Sequence, residues 1–576
     1  MNDQAQVSVR PRLALMLLIS LAQGFALFLL WRATENQVWP SQTPMANFPL
    51  WTIAVALPLL LLLGLEDRNG RKTAIFVALF TALLALLGIY IGRQVTPFGE
   101  FPPDSIVATF ILPLILGCFL ALLFLRPAVL GRAPDYAEVF SDSWRNALVA
   151  ALSWALTLGV FGIMMLWGEL FRVIGIEFFI DLFTEDWFLF PVLSVAVGLG
   201  IFIFRGLANV IAGITSLLQG LMWLLLPLVL TVTVLFLGAL PFTGLQPLWD
   251  TGNGTALLMA LNLFALFALN AVYQRGDREP YPLQVHRVLC VGIALLPLIS
   301  LLALYGLYLR VDQYGWTVAR CWALLISLLI TMFSLGYASN VIRNRERWFG
   351  KLASVNQPMA MLMLALVLLV NSPLLDFRKI SLASQQNRVE QGEITLEQFD
   401  FFDARANMGR PAYLWMQQII EENRDSNPEL AQMAREPVRP GPPGSYSPEP
   451  LERIDFRGWV TYRPEPFAVP DALLDAMQLS IVAGSLRAGQ VEEMILFQSD
   501  LDLDGNPEYV LAADISGVLV AAGFRLEEGA WRQLRLMTNQ NVPEPGQLLI
   551  DGDIQVVTPQ FNNLQIGDVT LRVGDP

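Results

Sequence analysis

The sequence is poor in the residues that carry most catalytic and redox chemistry. It contains three cysteines and one histidine among 576 residues. Cys118, Cys290 and Cys321 lie within apolar segments and show no CxxC spacing, which argues against a disulfide framework or a thiolate metal site. The histidine, His286, is predicted to be a solvated loop residue. A single histidine leaves almost no side chains for histidine-based catalysis or haem ligation. No phosphate-binding loop, zinc-protease helix, nucleophile elbow or dinucleotide fingerprint occurs at the required spacing.

Charged residues are also scarce. They make up 15% of the chain, whereas hydrophobic residues make up 55%, and average soluble proteins are about 25% charged. The net charge of −13 belongs to the C-terminal part, because residues from Phe377 onward include 30 acidic and 16 basic side chains, which leaves 20 and 21 for the rest. An acidic tail argues against nucleic acid and anionic lipid as its partners and is compatible with cations or basic surfaces.

Long apolar runs dominate the first two thirds of the sequence. Crossing a bilayer takes about 20 apolar residues, and no run approaches that length after Lys379. The sequence therefore predicts a polytopic α-helical membrane protein of about 11 spans with a C-terminal soluble domain, and the predicted spans are 13–31, 46–65, 73–91, 105–125, 146–166, 187–204, 218–240, 255–273, 288–309, 318–341 and 357–375.

The charges of the connecting loops predict the orientation. The N-terminus and every second loop carry 16 Lys and Arg residues, whereas the intervening loops carry 4. Basic loops stay on the cytoplasmic side of a membrane. We therefore expect a multi-pass membrane protein with a cytoplasmic N-terminus, and the odd number of spans places the tail on the outer side of the membrane.

A few polar side chains fall inside or at the ends of the predicted spans. Asn262 and Asn270 belong to the eighth span, where polar groups usually face other helices. Arg320 lies near the outer end of the tenth span, with Asp312 eight residues earlier. An ionisable group at that depth needs a partner or a route to water. We predict that Arg320 pairs with Asp312 or with a carboxylate of another external loop; the alternative is an arginine that snorkels to the surface.

A segment between the fifth and sixth spans, 168–188, carries acidic residues every four positions. Glu177, Asp181 and Glu185 alternate with phenylalanine and leucine side chains, a pattern typical of an amphipathic helix that lies in the membrane interface. Paired external carboxylates could serve a transferase that acts on a lipid-linked substrate. A solvated helix face explains the same spacing without chemistry.

Several blocks of sequence resemble a known family. LPFTGLQPLWDTG (240–252), NAVYQ (270–274), VDQYGWTVAR (311–320) and the run from SQQNR to RPAY (384–413) are similar to bacterial inner-membrane proteins grouped as domain of unknown function 4153. The resemblance spans about 141–413 in separated blocks. It implies a polytopic inner-membrane protein, and it supplies no catalytic residue and no activity.

The sequence divides into four predicted parts. A transmembrane domain, 1–376, is followed by a helical segment, 377–436, in which Thr395 and Gln398 form a capping box and Arg410-Pro411 breaks the helix. A Pro/Gly-rich linker, 437–450, then leads to an α+β or mostly-β module, 451–576. Within that module we predict a helix over 471–482 and strands over 493–498, 509–513, 518–524, 531–537, 554–557 and 569–573.

One motif in the module points to metal binding. DLDLDGNPE, 500–508, places three carboxylates at alternating positions before a glycine, and calcium binds several such hard oxygens around one centre. Its twelfth position is Leu511, so the EF-hand pattern fails, but the acid at the ninth position resembles the calcium loops of integrin-type propeller repeats. We predict a Ca²⁺ site; the alternative is an acidic hairpin turn. The predicted ligands are Asp500, Asp502, Asp504 and Glu508.

Two classes of function fit these features best. The first is an envelope interaction or sensing protein, without enzymatic activity, that presents a periplasmic module and has the lipid bilayer and other envelope proteins, not nucleic acid, as partners. The second is a permease, and the transferase described above is a third. A permease needs polar groups near the bilayer centre, and this sequence has few, so the first class is favoured.

Overall fold

A computed structural model of the chain describes residues 13–65, 69–97, 104–274, 276, 279–435, 461–463, 469–470, 472–474, 477, 491–499, 507–515, 518–527, 530–535, 564–566 and 569–571. The chain divides into two compact units, Met1–Pro437 and Val438–Pro576. Each unit is described by itself. The predicted linker, 437–450, lies outside the described residues.

The first unit is a bundle of long apolar helices. Within the described residues, eleven helices are long and apolar enough to cross a membrane, which confirms the predicted polytopic fold. They are α1 (Leu13–Glu35), α2 (Pro44–Gly64), α3 (Gly70–Gln94), α4 (Asp104–Leu130), α5 (Tyr136–Val173), α7 (Asp186–Gly206), α8 (Ala208–Thr243), α10 (Gly254–Tyr273), α11 (Leu283–Tyr314), α12 (Val318–Asn344) and α13 (Ala353–Val370). Short connecting elements are α6 (Phe178–Thr184), α9 (Gln246–Asp250) and a 3-10 helix (Arg345–Lys351).

Two of the helix ends differ from the predicted spans for clear reasons. α5 begins ten residues before 146, because a polar first section continues the helix beyond the apolar run; there Arg145 bonds Asp142 at 3.1 Å. α13 ends at Val370 and not at 375, since Pro373 disfavours helical backbone at the residue before it.

We call the end of the bundle where α1 begins the proximal end, and the opposite end the distal end.

Two separate apolar cores hold the bundle together. One core joins α1, α2, α3, α4, α5, α7 and, through Ile211, the start of α8, and it includes the fully buried Leu62 and Ile91. The other joins α8, α10, α11 and α12, and includes the fully buried Leu269 and Leu296. α13 packs against α4, where Met363 and Leu364 contact a smaller cluster. The membrane part therefore consists of two helical groups, one from each half of the sequence.

Close contacts between helices occur at glycines. A Cβ placed on Gly24 of α1 would collide with the Pro191 backbone of α7, and one placed on Gly198 of α7 would collide with Ser20 of α1. Small residues permit such approach in membrane bundles, where packing rather than hydrophobic burial drives association. The α1–α7 pair thus depends on glycine at these two positions.

Four short helices follow the last span: α14 (Phe377–Glu390), α15 (Phe401–Asn407), α16 (Gly409–Asn423) and α17 (Pro428–Arg435). The segment is helical as predicted, but its breaks lie elsewhere. Gly392 has a φ of +73° and ends α14. The predicted break at Arg410-Pro411 is wrong, because α16 runs through both residues and proline is tolerated in the first turn of a helix. The Thr395 N–H donates to Gln398 Oε1 at 3.1 Å, as in a capping box, yet no helix starts there. The next helix starts instead after Asp400, whose side chain accepts from the Asp403 N–H at 2.8 Å.

The second unit contains a five-stranded sheet in the order β1-β2-β3-β4-β5. β1 pairs parallel with β2, and the remaining neighbours are antiparallel. Five of the six predicted strands match observed ones, β2 to β5 and β7. The 554–557 strand and most of the 471–482 helix lie outside the described residues. The strands are β1 (Thr461–Arg463), β2 (Val491–Ser499), β3 (Glu508–Ile515), β4 (Val518–Glu527), β5 (Ala530–Arg535) and a separate hairpin of β6 (Leu564–Ile566) and β7 (Val569–Leu571).

We expect Gly24→Ala to destabilise the bundle, because the new methyl group meets the Pro191 backbone, which does not move as a side chain would. Overpacking of this kind costs about 1–3 kcal/mol. Gly159→Ala is the matched control, since a Cβ there has open space around it, and alanine is the better helix former. The unfolding temperature of the purified protein in mild detergent should fall for the first variant and hold or rise for the second. Equal temperatures would contradict the packing of α1 on α7.

Candidate functional site

The predicted calcium ligands fall mainly outside the described residues. Asp500, Asp502 and Asp504 are not among them. Glu508 begins β3, is 2% exposed and pairs in register with Ser499 at the end of β2. The predicted calcium motif, 500–508, thus follows β2 and leads into β3, and these two strands are adjacent and antiparallel. Calcium loops of the strand–loop–strand kind occupy the same place between two strands. Calcium binding stays a prediction.

Asn262 lies in a polar cluster between three helices of the second core. Its amide nitrogen donates to Leu296 O at 3.1 Å and to Ser300 Oγ at 2.5 Å. Its carbonyl oxygen accepts from Ser334 Oγ at 3.2 Å. Asn262 and Ser334 are fully buried. The cluster therefore joins α10, α11 and α12 through hydrogen bonds that satisfy the donors and acceptors of Asn262, as expected for polar groups that face neighbouring helices.

Asn270 lies nearer the proximal end, in a second network. Its amide nitrogen donates to Leu266 O at 2.8 Å and to Tyr337 Oη at 2.9 Å, and its carbonyl oxygen accepts from Asn356 Nδ2 at 2.7 Å. Asn356 also donates to Tyr136 Oη at 2.6 Å. This network ties α5, α10, α12 and α13 together, so it links the two helical groups.

Arg320 does not form the predicted pair with Asp312 within the part of the chain that the structure describes. Its guanidinium donates to Gly315 O at 2.8 Å and lies 5.3 Å from the Tyr314 ring centre. Asp312 is exposed. A nearby carboxylate, Asp403 of α15, has an electrostatic effect on Arg320, but α15 follows the last span and is not an external loop between spans. The prediction that Arg320 pairs with Asp312 is therefore wrong, because the Gly315 carbonyl at the end of α11 accepts the hydrogen bond instead.

Asp403 reaches this position because α15 lies against the distal end of the bundle. Burial raises the pKa of the Asp403 carboxyl, while the hydrogen bond from Asn407 at 2.6 Å and the charge of Arg320 lower it. Asn407 also bonds Ser105 at the start of α4. The short helices after the last span are thus fixed to the membrane helices by polar contacts.

A buried ion pair lies at the start of α14. Asp376 and Arg378 are 4% and 5% exposed, and Arg378 Nε donates to Asp376 Oδ1 at 2.9 Å. The same oxygen accepts from the Arg378 backbone N–H at 3.0 Å, so Asp376 also caps α14. Its second oxygen accepts from Tyr90 Oη of α3 at 2.5 Å. A buried charge persists only when it is paired and hydrogen-bonded, and both conditions hold here.

A row of polar side chains on α14 covers the turn between α11 and α12. Ser381 and Gln385 donate to Trp316 O at 3.2 and 3.1 Å, and Ser384 Oγ accepts from the Trp316 N–H at 3.0 Å. Arg388 Nη1 donates to Tyr314 O at 2.7 Å. The last carbonyls of a helix have no partner within it, and a cation there opposes the negative end of the helix dipole. α14 therefore satisfies the end of α11.

Apolar contacts complete this attachment. Phe377 packs edge-on against Trp322 of α12, with ring centres 5.3 Å apart, within a cluster that also includes Met408 and Met416. Arg410 donates to Thr96 O, just beyond α3, at 3.0 Å. We call the whole set of contacts between α14–α16 and the distal ends of α3, α4, α11 and α12 the distal junction.

Two further predictions concern isolated residues. His286 is not a solvated loop residue: it is fully buried in the first turn of α11, with Nδ1 2.9 Å from Tyr273 Oη and Nε2 2.9 Å from Glu346 O. The proline at its N-cap starts the helix earlier than the apolar run indicates. The segment 168–188 between the fifth and sixth spans does contain a helix, α6, which packs on α5 through Phe179. Its acidic side chains Glu177, Asp181 and Glu185 are exposed.

The distal junction holds the short helices in place. Its charged groups bond to each other, to backbone groups, or to the polar side chains of Tyr90 and Asn407. Sequence analysis missed Asp376 and Arg378, although an aspartate two residues before an arginine at the end of an apolar run is a recognisable helix start. It missed Tyr90 for a simpler reason, since nothing local marks a tyrosine that bonds 286 residues away.

We expect Arg378→Gln to destabilise the first unit strongly, because Asp376 would be left buried without its cation. Breaking a buried pair costs about 3–5 kcal/mol. Arg32→Gln is the control, since Arg32 and Glu35 form an exposed pair at the same end of the bundle, and such pairs contribute less than about 1 kcal/mol. Unfolding in mild detergent measures both variants. Similar losses in the two would show that the buried pair is no anchor.

Comparison with known protein families gives a match over most of the membrane part. No curated protein and no solved structure matches the chain. The family model for a domain of unknown function, DUF4153, matches residues 47–408, which include all the spans after α1, the Asn262 and Asn270 networks and most of the distal junction. This match confirms the resemblance seen in separate blocks of the sequence. The chain is an integral membrane protein that belongs to the DUF4153 family.

Proposed function

We propose that this protein is an interaction or sensing protein of the bacterial cell envelope. Its bundle anchors the chain in the inner membrane, and the segment after the last span holds a soluble module on the periplasmic side. The observation that carries this proposal is the distal junction. A flexible tether would need no buried ion pair, yet Asp376 and Arg378 are buried, and Asp376 accepts a hydrogen bond from Tyr90 of α3.

The polar groups of the spans support anchoring over transport. The donors and acceptors of Asn262 bond to Leu296, Ser300 and Ser334, and Asn270 bonds to Tyr337 and Asn356. Groups that are satisfied by their own helices have little capacity to coordinate a passing solute. A permease remains the alternative, and it would require these side chains to exchange their partners during transport.

The proposed orientation has the proximal end in the cytoplasm. It follows from the basic residues at the proximal end, and the distal junction lies at the opposite end. Arg71, Lys72, Arg132 and Arg345 are among the basic residues of the proximal loops. Since such loops stay in the cytoplasm, the distal junction and the acidic module would face the periplasm, where calcium and envelope proteins are both accessible.

Cysteine labelling tests orientation and interaction in one experiment. The native cysteines lie in membrane helices, so Leu526→Cys, at an exposed position of β4, provides a distinct reactive site in the module. We expect a membrane-impermeant thiol reagent to label it in cells with only the outer membrane permeabilised, and to label the control Arg71→Cys only after lysis. A photo-crosslinker attached at 526 should then yield a discrete protein adduct in cells.

Reversed labelling would overturn the periplasmic location. Correct labelling without any adduct from 526 or from other exposed module positions would overturn the interaction function and leave the permease as the better proposal.

Calcium binding by the module is the second expected outcome. The full-length protein in mild detergent should bind Ca²⁺ with a dissociation constant of about 10⁻⁴–10⁻³ M, typical of extracellular modules. Asp502→Ala should abolish the calorimetric signal, because it removes the central carboxylate, whereas Asp551→Ala, elsewhere in the module, should not. Magnesium should bind poorly, since it demands tighter octahedral geometry. If calcium gives no calorimetric signal, the motif at 500–508 is an acidic turn that binds no calcium.

A further inference from the structure

Four basic side chains are exposed at the proximal end, where α12 ends and the 3-10 helix follows it. They are Arg343, Arg345, Arg347 and Lys351, and we call them the basic rim. None of the four forms an ion pair with a residue that the structure describes. Their positive charge is therefore available to a partner outside the helix bundle.

The one acidic residue in this segment, Glu346, does not neutralise the rim. Its Oε1 accepts from Arg287 Nε at 2.6 Å, and Arg287 lies near the start of α11. A fifth basic residue therefore compensates the acid, and the four side chains of the rim keep their full charge. Another basic residue at the proximal end, Arg132, is already paired, since it bonds Glu138 at 2.5 Å.

The backbone that carries the rim is fixed to the second helical group. Trp348 is fully buried in the core of that group. Glu346 O lies 2.9 Å from His286 Nε2, and a Cβ placed on Gly276 would collide with Phe349 O, so the segment packs directly on the loop before α11. A partner that binds the rim therefore has to order only side chains, which lowers the cost of binding.

One member of the rim has a strained backbone. Arg345 has a φ of +50°, in the left-handed region that favours glycine and is uncommon for other residues. Strain of this kind persists only where the surrounding structure holds it, and it concentrates at functional sites. Glycine would fit this turn without strain, so the turn itself does not require an arginine. The charge of Arg345 gives a reason for its presence.

The rim lies at the level of the lipid headgroups. Ile342 at the end of α12 and Val288 near the start of α11 are 71% and 67% exposed, as apolar side chains of spanning helices are where they face lipid. Trp223 of α8 is also exposed, and its Nε1 donates to Pro280 O, just before α11, at 2.9 Å. Tryptophan is enriched at the boundary between membrane and water. The rim therefore borders acyl chains on one side and water on the other.

We propose that the basic rim binds the phosphate headgroups of anionic phospholipids in the leaflet at the proximal end. The guanidinium groups of the three arginines suit phosphate geometry, and Lys351 adds a point charge. The exposed Ile342 and Val288 contact the acyl chains of the same lipids, which a soluble anion does not possess. The site holds for either orientation of the chain and is independent of any partner of the soluble module.

Lipid titration of the full-length protein in mild detergent tests the rim. Short-chain phosphatidylglycerol should raise the unfolding temperature, whereas phosphatidylcholine of equal chain length and inorganic phosphate should have little effect. Arg343→Gln and Arg347→Gln should each weaken the apparent affinity for phosphatidylglycerol about fivefold, the usual contribution of one basic residue near an anionic surface. Arg132→Gln is the matched control, because Arg132 lies at the same end but is paired with Glu138, and this variant should keep the native affinity.

A variant of the acid tests the rim in the opposite direction. Glu346→Gln removes the carboxylate and releases Arg287, so the affinity for phosphatidylglycerol should rise. A purely structural role of the segment predicts no gain, and an unchanged or lower affinity would contradict the proposal. Should Arg347→Gln fail to fold, Lys351→Gln, at another exposed position of the rim, should show the same fivefold loss.

Other outcomes overturn the proposal in distinguishable ways. Equal effects of inorganic phosphate and lipid would show a soluble-anion site, and equal effects of both lipids would show nonspecific stabilisation by detergent-like molecules. Equal losses in Arg343→Gln and Arg132→Gln would show that binding follows the total charge of the proximal end. A photoreactive phosphatidylglycerol should in addition crosslink to α11, α12 or the 3-10 helix, and crosslinks confined to other helices would place the lipid elsewhere.

Discussion

The structure depends on one constraint, which is that a polar group surrounded by apolar helices must find its partner within the protein. The buried pair of Asp376 and Arg378 obeys it through Tyr90 and the α14 backbone. The carbonyls at the end of α11 obey it through Arg320 and Arg388. Tyr90 and Arg388 come from distant parts of the sequence, so these two bonds also fix the arrangement of the helices.

This constraint links the membrane part to the segment after it. Asp376, which caps α14, accepts from Tyr90 of α3, and α14 supplies a row of polar side chains to the turn after α11. Lipid chains, which have no polar groups, could replace neither set. The segment is consequently part of the membrane unit in its bonding, although its composition is that of a soluble helix. A protein that only needed a tail could have used a short disordered connection, which is why this junction carries the functional proposal.

Sequence patterns predicted the spans well and the contacts poorly. Apolar runs mark the eleven helices because lipid demands continuous hydrophobicity, and strand alternation marked β2–β5. Asn262 and Asn270 were expected to face other helices, and they do. Arg320 was assigned the nearest carboxylate in the sequence, although its actual partners are the carbonyls of the preceding turn and, at longer range, Asp403. His286 was misjudged because the polar residues around it hide the start of α11. Partners separated by hundreds of residues, such as Tyr90 and Asp376, leave no local signal.

The separation of Tyr90 from Asp376 also bears on how the protein is made. During synthesis, α3 enters the membrane long before α14 leaves the ribosome, and the carbonyls at the end of α11 likewise precede Arg388 by 74 residues. Until then, Tyr90 Oη and the Tyr314 carbonyl lack their partners from the segment after the last span. Docking of α14 is therefore the step that completes the membrane unit, and a nascent chain that stops short of it presents an unfinished surface to the quality-control proteases of the membrane.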